Sequence, residues 1–434
     1  MQRRIDMTLL NLNYGDTSFP MDIDGQHVKV IASKNIVQTN TELELLKYAI
    51  EHPIDSPRLK DFLLPHENVV IIIPDVTRLW QKPSVYLPVL IEEIKSAGLS
   101  DQQIHFISAL GTHRKQTKKE HRALLGDTLY QRFEIIDHNC KDSSNLSYVG
   151  TTSFGTEVFI NALALSFDHM ILTGGIVFHD LAGFGGGRKV LVPGIAGYKT
   201  IMQNHAHSLN PQGSGINPLI GGNQMQTNPF HLDLMEAAAF VKPSFLFNVL
   251  LDDDGKIMHA VAGDYVTAHQ AGCDFLRTID LVKIQEKAEV VVASAGGYPK
   301  DMNFYQATKA LCNAFHACKK GGDIILLACC EEGLGHPEME KIFKDFETNN
   351  EREHHVRKNY TIAKFFAYLT CVWAKEFNLH LVSSLNKAEM KHIGIDVYDN
   401  LDDALHVVQQ RYDGAYKVFV MPSAASTLPE LTGE

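Results

Sequence analysis

Between Gly174 and His207 the chain reads GGIVFHDLAGFGGGRKVLVPGIAGYKTIMQNHAH, and His179, Lys189 and His205 stand there around a cluster of glycines. Imidazoles exchange protons near neutral pH or bind metals, and a lysine amine can anchor a group covalently. Gly183, Gly185, Gly186 and Gly187 carry no Cβ, so backbone N–H groups there can close on an anion or a flat ligand. Two common glycine-rich motifs fail on spacing. A phosphate-binding P-loop needs Gly-Lys followed by Ser or Thr, whereas Arg188 precedes Lys189 and Val190 follows it. A dinucleotide fingerprint starting at Gly183 needs glycine where Arg188 stands, and no suitable acidic residue follows downstream. What remains is an anion-binding nest beside a reactive amine.

The elements that must position these residues follow an α/β alternation. Glu67–Asp75 (ENVVIIIPD) is a continuous apolar run, as expected of a strand buried on both faces of a parallel sheet. Pro83 to Gly98 reads as a helix with a closing glycine, Ile104 to Gly111 as the next strand, Lys118 to Leu125 as a short helix, and Phe133 to His138 as a strand. Asp168 to Ile176 is a further strand, whose end delivers His179, and GYKTIMQNHAH is helix-like and carries His205. Lys189, followed by the apolar VLVPGI, is expected to point from a buried strand into a site. Ligands of such sheets bind beyond the carboxyl ends of the strands, where DVTR (Asp75 to Arg78), GTHR (Gly111 to Arg114) and FHD (Phe178 to Asp180) fall.

Ser244 to Asp264 reads as a hairpin turning at Asp254-Gly255, and Val266 to Leu281 as a helix. A boundary is expected near Asp280 to Lys287, after which the alternation restarts. The expected fold is therefore two α/β domains with mostly parallel sheets and the active site in the cleft between them. Residues 1–280 would carry the cofactor anchor and the catalytic histidines, and residues 281–434 would contribute substrate-binding residues.

The 434 residues are 45% apolar with a net charge of −11 and no long basic block, which argues against a nucleic-acid or anionic-membrane partner and for a small ligand. No apolar run approaches the length needed to span a bilayer, and MQRRIDMTLLNLNYGD has no signal-peptide core, so a cytoplasmic location is expected. Seven cysteines without a C-x-x-C spacing read as reduced thiols.

The order D-x-T-R (Asp75, Thr77, Arg78), T-H-R (Thr112, His113, Arg114), H-D-L-x-G-F-x-G-G-x-K (His179 to Lys189), His205, then Y-Q-x-x-K (Tyr305, Gln306, Lys309) resembles the lactate racemase family across nearly the whole chain. That family uses a nickel-pincer nucleotide, pyridinium-3-thioamide-5-thiocarboxylic acid mononucleotide. The resemblance implies that Lys189 holds this cofactor covalently and that His205 is the protein ligand of nickel, a metal that imidazole suits. Gly185, Gly186 and Gly187, with Asp75 and Thr77, would contact the nucleotide. His113 and His179 would be the paired acid/base residues, while Arg78, Tyr305, Gln306 and Lys309 would bind substrate. An aromatic lid from the second domain is implied, with Tyr360, Phe365 and Trp373 as candidates. Dedicated maturation enzymes would be partners, because the family's cofactor is made by them.

The implied reaction inverts C2 of a 2-hydroxy acid. Its α-hydrogen is far too weakly acidic for an unaided histidine, whose pKa is near 6.5. Hydride transfer to the cofactor avoids a carbanion, with one histidine taking the hydroxyl proton and the other returning it on the opposite face. Val76 stands where the lactate enzymes carry histidine, and Leu79-Trp80 where proline is usual. A changed pocket wall can alter substrate choice, so lactate stands beside larger 2-hydroxy acids such as malate, aromatic hydroxy acids and sugar acids. The competing readings are a non-catalytic protein binding a nucleotide or organic acid, which needs neither anchoring amine nor second base, and a nicotinamide-dependent dehydrogenase, which the missing fingerprint opposes. Two pairs are decoys: adjacent His354 and His355 point apart in helix or strand, and only one of His205 and His207 can face a given ligand.

Overall fold

The computed structural model describes residues 9–22, 27–34, 36 and 38–432. The first eight residues of the N-terminal stretch therefore lie outside it. The chain forms two compact units, one of residues 35–208 and 217–278, the other of residues 1–34, 209–216 and 279–434. The division read from the sequence was linear, whereas these units interleave: Val28–Val30 pairs with Val418–Met421 at the edge of the second unit's sheet.

In the first unit a six-stranded sheet runs in the order Ile257–Gly263, Phe245–Leu251, His169–Gly175, Val69–Pro74, Ile104–Ala109, Ile135–Asp137. All neighbours are parallel except the first pair, a hairpin whose turn places Gly255 at φ +75°. Val69–Pro74 is buried along its entire length, as its β-branched run requires of a strand covered on both faces. The helix Pro83–Ser96 starts on proline and buries Tyr86, Leu87, Leu90, Ile91 and Ile94, spaced to form one apolar stripe. Thr117 and Glu120 form a capping box at the start of the helix Lys118–Tyr130, which runs beyond the expected Leu125 through a break at Gly126. Among the parallel strands the order in sequence reverses between Val69–Pro74 and His169–Gly175, and ligands of doubly wound sheets sit at such a switch point.

The second unit holds another sheet of parallel neighbours, ordered Ile395–Tyr398, Asn378–Val382, Cys318–Leu327, Ala288–Ser294, Val418–Met421, Val28–Val30. The protein is thus mixed α/β with mostly parallel sheets. All seven cysteines are free thiols. Among the described residues no helix is long and apolar enough to cross a membrane.

Candidate active site

At the switch point, Asp75 ends the Val69–Pro74 strand and caps the following turn, Val76–Gln81. Its Oδ1 accepts from the Thr77 N–H at 3.1 Å and the Thr77 hydroxyl at 2.5 Å. Its Oδ2 pairs with Nδ1 of His113, which lies beyond the Ile104–Ala109 strand. Burial pushes the Asp75 carboxyl up, but the hydrogen bond and charge of His113, then Arg78 and Thr77, outweigh it and hold it below the usual carboxylate value. Gln116 stitches the two loops together, accepting the Val76 N–H at 2.7 Å and donating at 2.9 Å to both Ser108 and Asp137. Arg78 folds back to the Thr77 carbonyl and hydroxyl at 3.3 and 3.2 Å.

Beyond the His169–Gly175 strand the chain makes a small hairpin, Phe178–His179 against Gly183–Phe184. The N–H groups of Leu181 and Ala182 donate to Nδ1 of His179 at 3.1 and 3.2 Å, and Asp180 Oδ1 lies 3.0 Å from the same nitrogen.

Lys189 occupies a short 3-10 turn, Gly187–Val190, and not the strand expected from VLVPGI. The cause is local: Gly186 and Gly187 adopt φ +70° and +53°, which turns the chain before it can extend. The Lys189 Nζ lies 5.2 Å from the centre of the Phe230 ring. His205, within the helix Tyr198–Ala206, packs edge-on against the same ring at 4.8 Å. The His205 Nδ1–H donates to the Ile201 carbonyl at 2.8 Å, and that oxygen can only accept, so Nε2 keeps its lone pair. Burial, then the charge of Lys189, hold His205 well below the ordinary imidazole value, so it is neutral. His207 turns elsewhere, 3.4 Å from the buried Asp233.

The glycine cluster has a packing reason that the sequence alone did not reveal. A Cβ at Gly183 would lie 2.2 Å from the Gln224 carbonyl oxygen, and one at Gly187 2.7 Å from the His269 ring. Two of the N–H groups expected to face an anion are engaged within the chain, Gly185 with the Val177 carbonyl and Gly187 with the Asn248 side chain, each at 2.8 Å. Arg188, 1% exposed, points away from this surface to the Ala182 carbonyl at 3.0 Å and His231 Nδ1 at 2.7 Å. Burial, then the Arg188 charge, lower His231 and His269 to about 3. Asn248 and Phe230 escaped the sequence reading. Asn248 left a trace, a lone amide in the apolar strand FLFNVLL; Phe230 left none, because a phenylalanine in an apolar helix looks like any core residue.

In the second unit Tyr305, Gln306 and Lys309 lie on the helix Phe304–Ala317, where Lys309 donates to Gln306 Oε1 at 2.6 Å. Tyr305 packs edge-on against Phe366 at 5.9 Å. Among the lid candidates, Phe365 is fully buried, Tyr360 stacks on it at 5.9 Å, and Trp373 lies against Phe315 at 4.1 Å. His355 packs on Phe346. Among the described residues no group of three or more His, Cys, Asp or Glu side chains could hold a metal.

Residues 14–217 match the family model for the lactate racemase N-terminal domain, and residues 283–428 that for its C-terminal domain. The lactate racemase of Thermoanaerobacterium thermosaccharolyticum is 34% identical over 343 residues, 78% of each chain. That of Lactiplantibacillus plantarum is 31% identical over 440 residues, covering 97% of this chain and all of that one. The chain belongs to the lactate racemase family. The solved lactate racemase apoprotein from T. thermosaccharolyticum superposes with a TM-score of 0.89 at 29% identity, over 98% of this chain and all of that one. A Thermotoga maritima protein, at 17% identity and a TM-score of 0.67 over 92% of this chain, shares the fold. Membership of the lactate racemase family agrees with the resemblance drawn from DVTR, GTHR and the His179 to Lys189 run.

Proposed function

We propose that this protein is a racemase or epimerase of 2-hydroxy acids, with lactate as the first substrate to test. The observation that carries the reading is the meeting of Lys189 and a buried, neutral His205 on the Phe230 ring. The residues fit a resident nickel-pincer nucleotide. Lys189 offers the anchoring amine, and His205 offers one lone pair of a type nickel accepts, with the ring oriented by the Ile201 carbonyl. Among the described residues no group of three or more His, Cys, Asp or Glu side chains could hold a metal, and on this reading the cofactor would supply the other donors. When bound, that group supplies the hydride acceptor that a 2-hydroxy acid needs at its α-carbon.

The chain's own residues do the rest. His113 and His179, at two different strand ends, exchange the hydroxyl proton, one taking it and the other returning it. Thr77 and the bare backbone of Gly185, Gly186 and Gly187 border the nucleotide, the glycines through close approach as well as through N–H donation. Arg78 is assigned to the substrate carboxylate, a pairing that a guanidinium fork suits. Tyr305, Gln306 and Lys309 are likewise assigned to substrate binding. Partners are the maturation enzymes that make the cofactor.

The test is inversion. The chain produced alongside those maturation enzymes should convert L-lactate to its D enantiomer, followed by chiral chromatography. Inversion of malate, an aromatic hydroxy acid or a sugar acid in place of lactate would reassign the substrate to the pocket that Val76 and Leu79-Trp80 alter. Failure to invert any 2-hydroxy acid with the cofactor in place would overturn the reading.

A further inference from the structure

Nδ1 of His113 faces Oδ2 of Asp75, a carboxylate with 4% of its side chain exposed beside a ring that is 44% exposed. A carboxylate only accepts hydrogen bonds, so Nδ1 carries the proton and the lone pair of the neutral ring sits on Nε2. Asp75 is itself held on its other oxygen by the Thr77 N–H and hydroxyl. Both loops are clamped through Gln116, whose side chain accepts the Val76 N–H and whose own backbone N–H donates to Asp137 Oδ2, each at 2.7 Å. His179 is held otherwise, since its Nδ1 meets two backbone donors as well as Asp180, an arrangement that fixes no single tautomer.

We propose that Asp75 is a positioning residue that locks His113 in its Nδ1–H tautomer, leaving Nε2 as the atom that takes the hydroxyl proton of the 2-hydroxy acid. The catalytic part of this inference rests on the racemase reading above; the tautomer itself does not. In Asp75→Asn the Thr77 N–H keeps the amide oxygen on its own side, so the amide NH₂ faces His113 and donates to Nδ1. The tautomer then reverses and the proton moves to Nε2, where it blocks proton uptake.

The experiment is long-range ¹H–¹⁵N correlation of the full chain, labelled at histidine and without cofactor, at a pH where the imidazole is neutral. The His113 signals are identified by their loss in His113→Gln. The wild-type protein should show a protonated Nδ1 and an unprotonated Nε2, and Asp75→Asn the reverse. A wild-type ring protonated at Nε2, or an unchanged pattern in Asp75→Asn, would overturn the lock; if that variant does not fold, the wild-type spectrum alone decides. In the loaded enzyme, Asp75→Asn should lower kcat about 10²–10⁴-fold with little change in KM, and Asp75→Glu should recover part of it. A wild-type enzyme that shows the expected tautomer but inverts nothing would sink the racemase reading and leave the lock standing. Normal inversion with the wrong tautomer would sink the lock alone.

Discussion

Lys189 and His205 both lie against the Phe230 ring, and the proposed function gives them different duties. An amine that is to be joined to a cofactor must be reachable, and Lys189 is only half-buried, whereas His205 is 3% exposed. Lys189→Ala should therefore abolish both cofactor retention and inversion. His205→Ala should spare attachment at Lys189 and lose nickel, read by metal analysis of the purified protein; full nickel content in that variant would contradict its assignment. His113→Ala and His179→Ala should each lower inversion by about 10²–10⁴-fold, the usual worth of a positioned acid or base. Circular dichroism should stay unchanged, because both rings lie at strand ends outside the core cluster. A normal rate in either variant would refute the two-base scheme.

The glycine run and the Phe245–Leu251 strand form one structural element with respect to the site. Asn248, fully buried, accepts the Gly187 N–H, so Asn248→Ala leaves a buried donor without its partner and should cost about 1–3 kcal/mol. Gly187→Ala puts a Cβ 2.7 Å from His269 at φ +53° and should cost a similar amount, about 1–3 kcal/mol. Both should lower the melting temperature and the fraction of Lys189 modified; unchanged loading in both would show that the run does not position the anchor. Much at this scale was legible from residues alone. ENVVIIIPD has the run of a strand buried on both faces, and the polar groups of DVTR, GTHR and FHD fall at carboxyl ends. The turn bearing Lys189 was not legible, because VLVPGI has the composition of a strand and the deciding fact is the left-handed backbone of two glycines just before it. The His113–Asp75 pair was equally hidden, since 38 residues separate two groups that only the parallel pairing of Val69–Pro74 with Ile104–Ala109 brings together.

For the molecule as a whole, the buried Arg188, His231 and His269 tie stability to pH. His231 and His269 titrate near 3 in the folded chain, well below the ordinary value near 6.5. Between those values the unfolded chain binds more protons than the folded one, so stability rises with pH and is lost as pH falls from about 6.5 toward 3. Each histidine contributes up to about 1.4 kcal/mol per pH unit in that window. The melting temperature should fall steeply between pH 6.5 and 4.5, and replacing both histidines by asparagine should flatten that slope while lowering stability at pH 7. An equally steep slope in the double variant would place the acid sensitivity elsewhere. The interleaving of the two units was not legible either, because Val28–Val30 finds its strand partner almost four hundred residues along the chain and three residues carry too little pattern to announce it.

In the proposed function Lys189 carries a nucleotide cofactor with nickel beside His205. Mass spectrometry of the Lys189 peptide, with nickel analysis of the same sample, tests it most directly on protein made with the maturation enzymes present. A nucleotide-sized adduct on Lys189 and near-stoichiometric nickel are expected. An unmodified lysine in protein made under those conditions would contradict it.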